Sequence, residues 1–330
     1  MDDTVRHDQS APQTFARSRF LAGASASALA LLQASPVRAA DTHTGAEITI
    51  AGPPNDSSAV FLYANDLGNY AKAGLNARTQ VINNAGTIAA AVAAGGVTIG
   101  IFSLPSLAIA YDHGVALRLV APAAVYMSTM PTTGLIGLKT SPLQHASDLN
   151  GKVVGVRDIN NLNTIATKVW LAQNGGDVAS VKFIEIVEAQ SVDSMKAGRI
   201  DAACISNPYF SDATKGDART FATVYDTVAK YFLVAGFVTT ETYAHANPDV
   251  VRKVASAIST TARWANRNKA ASAKILEKYS GSPVTPDIPR VHYAEELRAV
   301  DVQPVMDMLY KNGAIKKPIS AASLFALPPS

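Results

Sequence analysis

Short apolar runs alternate with amphipathic stretches along most of the chain. Residues 47–51 (EITIA) alternate like a strand, and residues 60–72 then predict a helix. A second strand over 76–82 and an Ala/Val-rich helix ending near Gly95 continue the same order. The order starts again at 145–156, where a short helical turn precedes a strand. The chain therefore predicts two α/β halves.

Two apolar stretches predict where the chain passes between the halves. The segment 116–126 (ALRLVAPAAVY) predicts a buried strand, and 132–139 (TTGLIGLK) predicts the first crossing. The continuous apolar run 231–239 predicts the crossing back. A long helix is expected to start at Asn247-Pro248, because Asn caps helices and Pro suits the first turn. The rest of the tail is expected to be helical.

One short pattern occurs in each half. Residues 94–105 (AGGVTIGIFSLP) and 197–208 (AGRIDAACISNP) share Ala, Gly, Ser and Pro in register. Each copy predicts a helix ended by Gly, then a strand, then a helix opened by Pro. Two unrelated α/β turns would give similar matches by coincidence, since Gly and Pro occur in most loops. Four matches in register favour duplication of one α/β unit.

Two such units predict two lobes with a crevice between them. The expected fold is α/β and two-lobed, each lobe a mostly parallel sheet flanked by helices, with a hinge between lobes. We assign 45–133 to the first part of lobe 1, 134–236 to lobe 2, and 237–330 to the return to lobe 1 with C-terminal helices. Ligands of open α/β sheets bind at the carboxyl ends of strands, near helix N-termini.

The N-terminus has the polarity of an export signal. Arg17 and Arg19 precede a short apolar run and a small-residue site, which predicts a signal peptide over 1–39 with cleavage near Ala39-Ala40. The apolar run is shorter than the roughly 20 residues that a membrane span requires, which disfavours an anchoring helix. Ser18 separates the arginines and favours general secretion over twin-arginine export. The expected location is the periplasm.

Composition and motif content argue against several classes of function. The formal net charge is only +3, and no Lys/Arg block is interleaved with aromatics, so we expect no nucleic-acid partner. The single cysteine, Cys204, excludes an intramolecular disulfide or a cysteine metal cluster, and its place in a predicted strand predicts a buried, inert thiol. Metalloprotease, nucleophile-elbow and Walker motifs are missing, and the six histidines share no ligand spacing. We therefore expect no catalytic residue, metal or cofactor.

The repeat and its surroundings carry a family resemblance. Together with the signal peptide, they resemble the substrate-binding proteins of ABC importers for nitrate, sulfonates, taurine and thiamine precursors. The resemblance implies a type II periplasmic-binding-protein fold that closes over a small molecule and docks to a membrane permease with a cytoplasmic ATPase. The matching segments are 92–110 (VAAGGVTIGIFSLPSLAIA), 147–156 (SDLNGKVVGV), 195–210 (MKAGRIDAACISNPYF) and 309–320 (LYKNGAIKKPIS).

The chain departs from that family in two respects. Thr98 stands where the family often has an acidic residue, although the second repeat keeps Asp201 there. This position precedes the strand, so the departure affects no expected ligand contact. The yeast branch that makes a pyrimidine uses a cluster of cysteines. Since Cys204 is the one cysteine here, that enzymatic branch is disfavoured.

Two loops of the first half supply candidate ligand contacts. In residues 52–58 (GPPNDSS), Asn55, Ser57 and Ser58 offer hydrogen bonds at the start of a helix, which suits an anion or a carbonyl. Ordinary helix capping explains one of these residues and not all three. In the first repeat, Phe102 and Ser103 are candidates for a wall of the cleft. Phe102 is equally explained as ordinary core.

The loop 157–164 (RDINNLNT) is the most suggestive. Arg157 is a fixed cation that can hold a carboxylate or sulfonate with two hydrogen bonds. A salt bridge to Asp158, or a solvated side chain, explains it equally well. Asn160, Asn161 and Asn163 are further candidates, since they offer amide groups just before a predicted helix.

The second repeat and one strand end complete the set. Tyr209 or Phe210 is expected to cover the ligand, while Asn207 either contacts it or only caps its helix. Tyr126 follows a buried strand and is expected to line the floor. Asp56 and Asp158 would form a carboxylate pair only if they met across the cleft, and we rank that below plain binding.

These observations predict a monomeric periplasmic binding protein for a small organic anion, such as a sulfonate or carboxylate. The expected partners are that ligand and an ABC permease with its ATPase. Three alternatives stay open. The ligand could be a neutral heteroaromatic such as a pyrimidine or thiamine precursor, the chain could be an enzyme that uses the same fold, or it could be a sensor subunit.

Overall fold

The computed structural model describes residues 47–284 and 289–327. The predicted signal peptide over 1–39 lies outside the described residues. Within them, every helix is too short or too polar to cross a bilayer.

The strands of the described residues are short and mostly buried. In chain order they are β1 (Ile48–Gly52), β2 (Ala77–Val81), β3 (Ile99–Ser103), β4 (Leu117–Pro122), β5 (Ala124–Met127), β6 (Thr133–Leu138), β7 (Val153–Val156), β8 (Lys182–Glu185), β9 (Ala202–Ser206), β10 (Ala218–Ala222), β11 (Tyr231–Leu233), β12 (Ala235–Thr240) and β13 (His292–Tyr293).

Helices connect most of these strands. They are α1 (Val60–Asp66), α2 (Asn69–Lys72), α3 (Ala85–Ala93), α4 (Leu104–Asp112), α5 (Leu162–Gln173), α6 (Ser191–Lys196), α7 (Tyr209–Lys215), α8 (Glu241–Ala246), α9 (Pro248–Arg267), α10 (Lys269–Ser280) and α11 (Ala299–Lys311). The helix predicted over 60–72 is two helices, because Gly68 lies between them with a φ of 66°, which is a left-handed conformation.

Two five-stranded sheets share one topology. The first has the order β2-β1-β3-β12-β4 and the second the order β8-β7-β9-β6-β10. In each sheet four strands point the same way, and the fifth, β12 or β6, is antiparallel to both of its neighbours. The predicted α/β class with mostly parallel sheets is confirmed. The antiparallel strand of each sheet is the first strand after the chain arrives from the other sheet.

The chain passes between the sheets along a three-stranded ribbon. Strand β5 leads from the first sheet to the second, β11 leads back, and β13 pairs with β5 on its other edge. The single strand predicted over 116–126 is therefore wrong, since it is β4 and β5 separated at Ala123. The crossing predicted at 132–139 is also wrong, because β6 already belongs to the second sheet.

The repeated pattern occupies equivalent places in the two sheets. Its strands are β3 and β9, which hold the same position in the strand order. Gly95 and Gly198 end the preceding helices with φ values of 77° and 67°, which only glycine adopts without strain. Ser103 then accepts a hydrogen bond from Ser106 N, while in the second copy Asn207 accepts one from Ser211 N. The sequence repeat is thus a repeat of structure.

A buried ion pair fixes the loop between β1 and α1. Arg290, from the tail, donates to the carboxylate of Asp56 at 2.8 Å, and the two side chains are only 4% and 1% exposed. Val291 N donates to the other carboxylate oxygen, and the Tyr293 hydroxyl donates to the backbone carbonyl of Asp56. The guanidinium also donates to the Tyr63 hydroxyl. The 52–58 loop is therefore held by the C-terminal part of the chain.

We predict that Arg290→Met destabilises the protein by about 3–5 kcal/mol, because it leaves the buried Asp56 carboxylate without its counter-charge. Urea denaturation measures the free energy of unfolding. The matched control is Arg252→Met, whose partner Asp249 is exposed, and which should cost less than about 0.5 kcal/mol. Equal losses in the two variants would contradict the structural role of Arg290.

Candidate functional site

A cleft cavity lies where loops from the two sheets meet. Its larger part, the outer cavity, has a volume of about 260 Å³. A deeper part, the inner recess, has about 20 Å³, which is room for roughly one water molecule. Pro53, Asn55 and Arg157 line both parts, so they form one continuous site.

The structure brings most of the predicted site residues to this cleft. Tyr209 lines the outer cavity, and Asn55 and Arg157 line both parts. The inner recess is lined by loops from both sheets. The predicted residues found in it are Asn55, Ser57, Ser58, Phe102, Ser103, Arg157, Asn161 and Asn163. Phe102 is also core, since its side chain is 1% exposed.

Three predicted residues lie elsewhere. Tyr126, on the ribbon strand β5, packs edge-on against Tyr225 with ring centroids 5.3 Å apart, and its hydroxyl donates to Asp226 at 2.8 Å. It is part of the core and not of the cleft floor, because the strand predicted to end there is broken. Asn160 is exposed outside the cleft, where its carbonyl accepts from the Ser106 hydroxyl.

Asn207 is the third of these residues. It is fully buried, its side chain accepts from Ser211 N at the start of α7, and its carbonyl accepts from Asp56 N at 3.0 Å. Capping is therefore the interpretation that the contacts support, and neither part of the cleft cavity is lined by Asn207.

Arg157 makes no salt bridge to Asp158. Asp158 is buried, and its carboxylate accepts from Asn160 N at 2.8 Å. The Nε atom of Arg157 is buried and has no hydrogen-bond partner among the described residues. The Arg157 side chain therefore keeps a desolvated donor in the cleft.

Two further polar atoms of the recess are buried and have no hydrogen-bond partner among the described residues. Asn161 accepts from Thr164 N at 3.1 Å through Oδ1, which caps α5 and leaves its Nδ2 as a buried donor with no described partner. Asn55 Oδ1 is a buried acceptor without a described partner. Leaving such a group unpaired costs about 1–3 kcal/mol each. Three of them around one small recess indicate that it is built to meet another polar molecule.

A satisfied network lies behind these atoms. Asn163 donates to the carbonyl of Cys204 and to the Ser206 hydroxyl, and it accepts from the Tyr225 hydroxyl. Burial raises the pKa of the Cys204 thiol to about 12, so at neutral pH it is neither a nucleophile nor a metal ligand. The predicted burial of the thiol is confirmed. This network holds the back wall of the recess rigid.

Glu188 lies in the cleft and was not predicted. Its side chain is buried, lines the outer cavity, and accepts from Ser206 N at 3.0 Å. Burial raises the pKa of Glu188, while the charge of Arg157, the Ser206 N–H and the neighbouring Asn55 amide lower it by less. The cleft thus holds a carboxyl group as well as a cation.

The duplication contains the signal that would have found Glu188. The loop after β8, which carries Glu188, corresponds to the loop after β2, which carries Asn83 and Asn84, and both loops line the outer cavity. The sequence pattern shared by 94–105 and 197–208 reaches only β3 and β9. Extended to the neighbouring strands, the same correspondence makes both loops candidates.

Hydrogen bonds cross the cleft on several sides. Asn84 donates to Glu185 at 3.4 Å beside the outer cavity, and Asp56 N donates to the Asn207 carbonyl. The Ser106 hydroxyl donates to the Asn160 carbonyl at 3.3 Å. Each bond joins the first-sheet side to the second-sheet side. The loops are therefore in contact around the cavity.

The two carboxylates considered as an acid/base pair do not meet. Asp56 is engaged by Arg290 and Val291 N, and Asp158 by Asn160 N. Neither residue lines the outer cavity or the inner recess. They position loops, and they do not form a catalytic pair in the cleft.

Comparison with protein families and curated sequences gives one family match. A family model described as NMT1/THI5 like matches residues 55–271, which is more than half of the chain. No curated protein sequence matches it.

Solved structures share the fold. The alkanesulfonate-binding protein SsuA from Xanthomonas axonopodis pv. citri, bound to MOPS, aligns with a TM-score of 0.69 at 18% identity over 85% of this chain and 98% of that one. The periplasmic nitrate-binding protein NrtA from Synechocystis PCC 6803 gives 0.62 at 16% identity over 74% and 69%. The desulfurization enzyme DSZB gives 0.63 at 13% identity over 87% and 97%. The two-lobed periplasmic-binding-protein fold is confirmed.

We predict that Glu188→Gln stabilises the protein by about 1 kcal/mol near pH 7. Because the pKa of Glu188 is raised in the folded state, its protonated form favours folding, and that contribution is lost as the pH rises through the raised pKa. The gain from the neutral amide should therefore shrink as the pH falls through the raised pKa toward the ordinary pKa of a glutamate. Urea denaturation near pH 7 and pH 4 measures it.

The control for this experiment is Asp193→Asn, which removes an exposed carboxylate from α6. Its effect on stability should be small at both pH values. A destabilisation by Glu188→Gln that is largest near pH 7 would show that attraction to Arg157 outweighs burial, contrary to this account.

Proposed function

We propose, from the premise that this chain belongs to the NMT1/THI5-like family, that it captures a small organic anion in the cleft and delivers it to a membrane permease. It would be the periplasmic substrate-binding component of an ABC importer. Support comes from the family match and from the shared fold of the SsuA and NrtA structures, which are described as sulfonate- and nitrate-binding proteins.

One observation carries the proposal for an anion. Arg157 Nε and Asn161 Nδ2 are buried donors without a described partner, and both residues line the inner recess. A sulfonate or carboxylate offers several acceptor oxygens and a negative charge to such donors. The recess also lies at the start of α5, where the helix N–H groups favour negative charge. We assign the head group of the ligand to the mouth of this recess, where Arg157 lines both parts of the cavity, because the recess itself holds only about one water molecule.

Capture requires that the two lobes meet on the ligand. We propose lobe 1 as 45–133 with 237–330 and lobe 2 as 134–236, each built on one sheet. Asn55, Ser57 and Ser58 come from lobe 1, whereas Arg157, Asn161 and Tyr209 come from lobe 2. A ligand that contacts both sets binds the closed form better than the open one and so shifts the population to the closed form. The ribbon of β5 and β11 is the hinge.

The proposed function also requires export of the protein and a membrane partner that receives the ligand. The signal peptide over 1–39 would place the protein in the periplasm as a monomer. The permease with its cytoplasmic ATPase would then receive the ligand.

A neutral heteroaromatic ligand is the second candidate, and Glu188 is the observation that favours it. A buried carboxyl group in the outer cavity can accept from a ring N–H or amino group. An enzyme on this fold has a precedent in DSZB, but Asp56 and Asp158 both lie outside the cleft. We therefore place binding first.

We predict that Arg157→Ala lowers the affinity for the organic anion by about 10- to 100-fold, since a hydrogen bond to a charged group contributes about 1.5–3 kcal/mol. The measurement is a thermal-shift screen of the mature protein against sulfonates, carboxylates, nitrate, pyrimidines and amino acids, followed by calorimetry. A ligand at 100 times its Kd should stabilise the protein by about 2.7 kcal/mol.

The matched control is Arg199→Ala, an exposed arginine of the same lobe that does not line the cleft cavity. It should leave the affinity unchanged. Unaltered anion binding by the Arg157 variant, or binding of neutral heterocycles alone, would rule out the anion site.

A further inference from the structure

A cation and a carboxyl group share the outer cavity. Arg157 and Glu188 both line it, and the Glu188 side chain is only 5% exposed. The charge of Arg157 lowers the pKa of Glu188, although burial raises it by more. An anion that binds at Arg157 therefore enters a space where an ionised Glu188 already uses part of the positive charge. Two negative groups beside one guanidinium repel each other, which favours protonation of the carboxyl group.

Asn55 links this carboxyl group to the anion site. It lines both the outer cavity and the inner recess, and its amide donates to the Glu188 carboxylate. The other end of the amide, Oδ1, is the buried acceptor without a partner among the described residues. An acceptor oxygen repels the oxygens of an anion. In this orientation, Asn55 therefore disfavours the ligand that Arg157 favours.

Protonation of Glu188 removes this conflict. A protonated carboxyl group is a donor, and Asn55 meets it by turning its amide, which exchanges Oδ1 and Nδ2 at nearly equal volume. Oδ1 then accepts from Glu188, and Nδ2 is released to donate to the anion. Ser206 N continues to donate to Oε1 of Glu188, because the proton is carried by Oε2. One proton therefore gives the unpaired acceptor a partner and adds a donor to the anion site.

We propose that the cleft takes up one proton at Glu188 with each anion that it binds, and that the Asn55 amide then donates to the anion. This inference rests on the proposed function and adds Glu188 to its binding chemistry. The proton comes from solvent, passes to the Glu188 carboxylate as the anion binds, and returns to solvent when the anion leaves. The neutral carboxyl group leaves the charge of Arg157 to the ligand. The protein therefore holds its ligand more tightly at lower pH.

The other titratable groups around Glu188 keep one state near neutral pH. Burial raises the pKa of Tyr209 and of Cys204 to about 12, and that of Tyr225 well above its ordinary value, so all three are neutral. The guanidinium of Arg157 stays charged. The carboxylates nearby are exposed and stay charged as well, and they are Glu185, Asp212 and Asp217, the last paired with Lys196. Glu188 is therefore the group that exchanges the proton.

The test uses butanesulfonate, which stays ionised, so that any pH dependence of its binding belongs to the protein. Calorimetry on the mature protein measures Kd from about pH 5 to pH 9. Between the pKa of Glu188 in the free protein and its higher pKa in the complex, affinity should fall by up to about tenfold per pH unit. Titrations in bis-Tris and in Tris, which ionise with different heats, count the protons, and we expect uptake to approach about one per ligand. Sulfonate buffers are excluded because they would compete.

Three variants assign the proton. Glu188→Gln should take up none and should bind at every pH as tightly as the parent protein does at its lowest pH, because its amide donates to Asn55 Oδ1. Asn55→Ala should lower the affinity more at low pH than at high pH, since Asn55 donates to the anion only when Glu188 is protonated. Glu185→Gln removes an exposed carboxylate of the same cavity and should keep both the proton uptake and the pH dependence.

The outcomes separate this inference from the proposed function. A Kd that does not change with pH, with no proton uptake and with binding still dependent on Arg157, would overturn the proton coupling and keep the anion site. Proton uptake that survives Glu188→Gln would also overturn it. Failure of butanesulfonate to bind at any pH would overturn both the inference and the sulfonate class of ligand.

Discussion

The buried contact between Asp56 and Arg290 is the constraint on which the site depends. The carboxylate of Asp56 accepts from Arg290 in the tail of the chain, and its backbone carbonyl accepts from the Tyr293 hydroxyl. Its backbone N–H donates to the carbonyl of Asn207, which belongs to lobe 2. One residue therefore joins the first ligand loop, the C-terminal return and the opposite lobe. Because Asp56 is anchored in this way, the neighbouring Asn55 and Ser57 are held at the cleft, and Asp56 itself takes no part in the chemistry there.

The cleft combines rigid walls with unmet polar groups. Asn163, Tyr225 and Ser206 satisfy one another at the back of the recess, whereas Arg157, Asn161 and Asn55 keep buried atoms without described partners. Unpaired donors in a preorganised wall destabilise the unliganded closed form and are relieved by a matching ligand. These donors also make binding selective. A ligand without acceptor atoms beside them leaves the donors unpaired and therefore binds more weakly.

The alternation of strand and helix patterns, the repeat and the polar loops were enough to predict the α/β class, the two sheets and the loops after β1, β3 and β7. It could not predict contacts that depend on distant parts of the chain: Arg290 lies 234 residues from Asp56, and nothing near either residue signals the pairing. Tyr126 was misplaced because an apolar run does not show that a strand breaks at Ala123 and continues as a strand of the three-stranded ribbon. Glu188 was missed because an acidic residue is ordinarily solvent-exposed, and the sequence does not show that this side chain is buried beside Ser206 N.

The most direct test of the account is a crystal structure of the mature protein with an alkanesulfonate that it binds. We expect the sulfonate at the mouth of the inner recess, with its oxygens within hydrogen-bond distance of Arg157 Nε and Asn161 Nδ2 and both lobes in contact with the ligand. A sulfonate bound outside the cleft, or bound in it with Arg157 turned away to solvent, would contradict the claim that these buried donors exist to receive an anion.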